Sequence, residues 1–145
     1  MNPIERRVRA HVINRLCDTS AAPSVADISV ALAIPSADVA ASLRSLAGQH
    51  RLVLRPGSET IWMVHPFSGI ETDFVVNAQG RRWYANCVWD GLSILGLVGD
   101  GLLETHSPQT GEPIRFDVED GRVAGDAIVH FLVPAKRFWD DIGFT

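Results

Sequence analysis

A thiol and a carboxylate stand three positions apart, Cys87 and Asp90, in the aromatic stretch Arg81-Arg82-Trp83-Tyr84-Ala85-Asn86-Cys87-Val88-Trp89-Asp90-Gly91-Leu92. If the chain passes from strand to helix around Cys87, the two side chains share a face one turn apart. The positive end of that helix favours a thiolate over a thiol. A thiolate beside a carboxylic acid can hold a soft metal, or attack while the acid delivers a proton. The plainer alternative is a buried, inert cysteine followed by a capping or surface aspartate.

The surrounding elements must position this pair. Thr72–Val76 reads as a strand, Asn77-Ala78-Gln79-Gly80 as a turn and Arg81–Ala85 as the return strand. Asn86 suits an N-cap, and Val88, Leu92, Ile94 and Leu95 make the following segment a buried helix. Gly96, Gly99 and Gly101 break it, but without a lysine they do not form a phosphate loop. Leu102–Thr105, Ile114–Val118 and Ala127–Val133 alternate as strands, and residues 134–141 begin a last helix. His106 and His130 have no Cys or His at ligand spacing, and Ser107 has no context that supplies a base.

The first 65 residues have another grammar. Ile4, Val8, Val12 and Leu16 recur every fourth position and predict a helix ending near Cys17-Asp18. Ser24 with Asp27 is a capping-box pattern for a second helix over Val25, Ile28 and Leu32, which Ile34-Pro35 stops. Ser36 and Asp38 open a third, with Val39, Leu43 and Leu46 inward. Leu52–Leu54 and Ile61–Val64 then flank a turn as a hairpin. Three helices and a hairpin follow the order of a winged helix-turn-helix, but the outer face of the third helix offers one cation, Arg44. DNA binding is disfavoured, and Cys17 is most simply core.

Composition supports a soluble, folded chain: 46% hydrophobic and 21% charged residues over 145 positions. No apolar run reaches the length of a membrane span, and the N-terminus lacks a signal-peptide core. Cys17 and Cys87, far apart, do not make a disulfide framework, so the expected compartment is the cytoplasm. Residues 1–65 carry seven arginines against five acids, and residues 66–145 six basic residues against twelve acids. That asymmetry places a boundary near His65-Pro66. The expected architecture is α+β: a winged-helix-like helical module over residues 1–65, then a β-rich mixed domain over residues 66–145 with a central Cys-bearing helix.

The chain resembles the alkylmercury lyases of bacterial mercury resistance. The resemblance rests on the N-terminal helical module, the pattern Tyr84-Ala85-Asn86-Cys87-Val88-Trp89-Asp90-Gly91-Leu92 and the loop His106-Ser107-Pro108-Gln109-Thr110-Gly111-Glu112-Pro113. It implies cleavage of a carbon–mercury bond in a small organomercurial, giving a hydrocarbon and Hg(II). Cys87 matches the family's first mercury-capturing thiol and Asp90 its proton donor. Trp83, Tyr84 and Trp89 would line a dry pocket that keeps Asp90 protonated. No cofactor is implied, only external thiols that carry mercury away. Ser107 stands where some members have a further cysteine. The family's second catalytic thiol follows a Phe-Trp-Asp-Asp-like stretch, here Phe138–Asp141, and the sequence stops at Thr145. A truncated chain, a UGA codon for selenocysteine, or a diverged single-thiol relative would each account for that. The competing functions are a metal- or mercury-responsive winged-helix regulator and a non-catalytic protein that binds thiophilic metals.

Overall fold

A computed structural model describes residues 1–143. Its first elements are three helices, α1 (Pro3–Thr19), α2 (Val25–Leu32) and α3 (Ser36–Gly48). Asn2 caps α1 and Glu5 closes the capping box, just as Ser24 and Asp27 do for α2. These side chains satisfy amides that the first helical turn leaves without partners. Val8, Val12 and Leu16 from α1 meet Ile28 from α2 and Val39, Leu43 and Leu46 from α3 in a solvent-free core. The other oxygen of Glu5 accepts a 2.7 Å bond from the Ser45 hydroxyl and so ties α1 to α3. That hydroxyl, and then the Asn2 amide, hold the Glu5 carboxyl below its ordinary range.

The expected hairpin is present as β1 (Val53–Leu54) and β2 (Ile61–Val64), but a third strand, β3 (Phe67–Ser68), extends it. Met63 pairs with Ser68 and Val64 with Phe67, leaving the cis-linked His65-Pro66 as a two-residue turn. The 65/66 boundary therefore falls inside a hairpin rather than in a linker. The buried core also runs without interruption from Val8 to Phe116.

The second sheet contains β4 (Val75–Ala78), β5 (Arg81–Tyr84), β6 (Gly101–His106), β7 (Pro113–Glu119) and β8 (Arg122–Ala124). It is antiparallel throughout, in the order β5-β4-β6-β7-β8. β4 starts later than expected, so Asn77 and Ala78 belong to the strand and Gln79-Gly80 alone make the turn. Both turn residues have positive φ, 50° and 72°, the twist a two-residue hairpin requires. The Gln79 side-chain amide donates to the Val98 carbonyl at the end of α4 (Val88–Val98). α4 fills the β5-to-β6 connection and lies close against the sheet. A Cβ on Gly91 would come within 2.6 Å of Leu103 on β6, a side chain with no exposed surface.

The strand expected over Ala127–Val133 does not form. The ladder ends at β8, whose three residues are all exposed and offer no buried face to fix a further register. Ile128 is 95% exposed. In place of a final α-helix, Ala135–Asp140 form a short 3-10 helix. The Trp139 ring stacks on His50, with centroids 4.1 Å apart and planes 4° from parallel. The C-terminal segment is thereby anchored beyond α3. Among the described residues no single helix is long and apolar enough to cross a membrane.

Candidate active site

Cys87, not Asn86, is the N-cap of α4. Its extended backbone (φ −158°, ψ 177°) precedes the first helical residue, and its Sγ accepts the Asp90 amide N–H at 3.5 Å. The cysteine is therefore at the mouth of the helix rather than within it. The expected thiolate does not follow from this position. Burial pushes the Cys87 thiol above its ordinary value, the Asp90 carboxylate adds to the rise, and the Asp90 and Trp89 amides pull only partly back. A sulfur placed here keeps its proton until a stronger electrophile displaces it.

Moving the cap by one residue gives Asn86 other work. Its Nδ2 donates to Asp90 Oδ2 at 2.8 Å and faces the Phe67 and Pro66 carbonyls at 3.3 and 3.5 Å. Its Oδ1 is buried without a hydrogen-bond partner among the described residues. The same Asp90 oxygen meets His65 Nδ1 at 3.0 Å, across the turn between β2 and β3. Asn86 and His65 were not singled out as site residues from the sequence. The 25-residue separation of His65 from Asp90 carries no local pattern; only the extra strand β3 brings the turn back to α4.

These groups share a cavity of about 1110 Å³. Cys87, Asp90, Asn86, His65, Met63, Phe74 and Trp89 line one side, and Pro108, Phe131–Ala135, Phe138, Ile142 and Gly143 complete it. Cys87, Asp90 and His65 are its only titratable lining residues among those described. Of the three aromatics expected around the pocket, Trp89 lines it and is 61% exposed at its rim. Trp83 and Tyr84 do not. Trp83 is buried against the helices, its indole N–H shared between the Leu16 and Cys17 carbonyls at 3.0 and 3.1 Å. Strand alternation then turns its neighbour Tyr84 toward the opposite sheet face. The apolar lining comes instead from the C-terminal segment. Both cysteines are free thiols, and no three His, Cys, Asp or Glu side chains cluster as metal ligands among the described residues.

A thiol and a carboxyl at the bottom of a largely apolar cavity can exchange a soft cation for a proton and pass a proton to a leaving group. Comparison with known proteins shows the fold and the family. The fold is similar to the crystal structure of the mercury-bound form of MerB2, with a TM-score of 0.70 and 22% identity. The similarity covers 87% of this chain and 61% of that one, so the chain spans about three-fifths of that protein. No curated protein matches the sequence. The family model of MerB, alkylmercury lyase, matches residues 67–145, more than half of the chain and all of the Cys87–Asp90 segment. The protein belongs to the alkylmercury lyase family.

Proposed function

We propose that this chain is an organomercurial lyase, with Cys87 as the mercury-capturing thiol and Asp90 as the acid that protonates the leaving carbon. The observation that carries this reading is their placement: Sγ bonded to the Asp90 amide, the carboxyl one turn along, both facing one apolar cavity. Mercury is soft and selects sulfur over oxygen or nitrogen. An organomercury cation forms an S–Hg bond at Cys87, and the displaced thiol proton passes to the Asp90 carboxylate. The carboxylic acid of Asp90 then gives its proton to the carbon. The electron pair of the Hg–C bond becomes the new C–H bond, leaving Hg(II) on sulfur and a carboxylate at Asp90. External thiols take the Hg(II) and return a proton to Cys87; no cofactor takes part.

Trp89 and the C-terminal segment supply the surface that receives the organic group, a small hydrophobic residue by the character of that lining. The three helices with the sheet β1-β2-β3 form a winged-helix-like unit that serves as a foundation rather than as a nucleic-acid reader. Its lone outward cation on α3, Arg44, is bound 2.6 Å from Glu59 of the β1–β2 turn. A phosphate backbone would have to compete for it. Two free thiols suit a reducing compartment, the cytoplasm.

The test is benzene release from phenylmercury in excess small-molecule thiol, for the chain and for Cys87→Ser. Release that falls to background in the variant supports the reading. A chain that takes up phenylmercury and releases no benzene is a thiophilic-metal binder and not a lyase.

A further inference from the structure

We propose that Asn86 and His65 act as positioning residues which assign the two oxygens of Asp90 to different tasks, an inference that rests on the lyase reading. Both hydrogen bonds to the carboxyl fall on the same atom: Asn86 Nδ2 at 2.8 Å and His65 Nδ1 at 3.0 Å from Oδ2. Among the described residues nothing bonds Oδ1, which is also not a buried orphan. With His65 in its Nδ1–H tautomer, which the proposal assigns, two N–H donors occupy the lone pairs of Oδ2, so a proton carried by Asp90 sits on Oδ1. Reversing the Asn86 amide would set its carbonyl oxygen against three acceptors, Asp90 Oδ2 and the Pro66 and Phe67 carbonyls. The donor orientation is therefore fixed by the turn itself. The unpartnered Asn86 Oδ1 shows the same preference, because the side chain accepts one unsatisfied buried atom to keep its amide on the carboxyl.

His65 is suited to the second bond by its anchorage. It occupies a two-residue turn between paired strands, and the Trp139 ring lies edge-on to it at 6.3 Å and 80°. His65 remains 42% exposed while Asp90 is 15% exposed, so the clamp holds the acid from its solvent side without covering Oδ1. A general acid is effective only when its proton points at the accepting atom. Fixing Oδ2 directs the other oxygen toward carbon instead of letting the carboxyl rotate.

The experiment uses the full chain and compares it with His65→Ala, His65→Asn and Asn86→Ala. Phenylmercury uptake on Cys87 is read by native mass, and benzene release is measured in excess thiol. Uptake should be unchanged in all four. Release should fall about tenfold or more in both alanine variants, a part of the roughly 10²–10⁴-fold a general acid supplies. His65→Asn, which returns an N–H near the position of Nδ1, should recover most of it. Unchanged release in both alanine variants overturns the proposal, as does a parallel loss of uptake and release, which marks a merely structural role. Absence of release from the unaltered chain overturns the lyase reading itself. The clamp is then judged from the ¹⁵N shifts of the His65 ring, which Asp90→Ala must move if the pair exists; unmoved shifts overturn it.

Discussion

The cavity has two walls built on opposite principles. One consists of the β2–β3 turn and the first turn of α4, where Cys87, Asp90, Asn86 and His65 are held by named hydrogen bonds on paired backbone. The other is the stretch from Phe131 to Gly143, mostly apolar, with a single 3-10 helix and much of its surface exposed. Among the described residues every titratable lining group is on the first wall. Proton transfer needs atoms held within a fraction of an ångström, whereas enclosing an apolar group needs only area. On the proposed reaction, each requirement falls to the kind of structure that serves it.

The largest break in that contrast should come from the reactive wall. Asp90→Asn keeps the shape but removes the acid, so benzene release should fall about 10²–10⁴-fold. Phenylmercury uptake by Cys87, followed by mass, should persist. Next comes the support beneath that wall. Gly91→Val forces a side chain into Leu103 and should lower stability by about 1–3 kcal/mol, measured in urea, with release falling as α4 is displaced. The apolar wall should respond more gently. Trp139→Ala removes the stack on His50 and should cost about 0.5–1.5 kcal/mol. Through the lost edge contact with His65 it should also slow benzene release, though less than His65→Ala does.

The smallest effect sharpens the electrostatic side. Burial first, and Asp90 second, raise the Cys87 thiol above its ordinary value. Alkylation by a small neutral reagent should therefore lag behind a free thiol near pH 8–9 and draw level only at higher pH. The linkage has a definite sign. The folded state binds this proton more tightly than the unfolded chain, so its contribution to stability is complete below the unfolded pKa. It is lost as pH rises through the folded one, and Cys87→Ser should remove that alkaline slope.

Much of the first wall was legible because its determinants are local. The spacing of Cys87 and Asp90 predicted a shared helical face, and the structure instead makes Cys87 the cap of the helix that carries Asp90; Ser24-Asp27 announced a cap that the structure contains. Asn86 was misread by one position. Asn is a strong N-cap by type, but here the sulfur accepts the helix amide and the asparagine is released to hold a carboxyl. His65 could not be seen at all, since its partner is reached through a hairpin whose second strand is only two residues long. The aromatic placement failed because alternation says that Trp83 and Tyr84 face opposite ways but not which way meets a helix. Ala127–Val133 has the composition of a strand and no sheet edge that gives it a buried face. The resemblance reached the family where patterning could not, and the family model covers the Cys87–Asp90 segment.

The indole of Trp83 has a consequence beyond packing. By donating into the last turn of α1, it makes the end of the first helix part of the structural support of β5, whose outgoing chain leads directly to Cys87. An N–H left without those carbonyls would cost about 1–3 kcal/mol. The basic first half and the acidic second half, so distinct in composition, are therefore not interchangeable parts. Cutting the chain where its charge changes would remove His65 from the acid and expose the indole in one stroke.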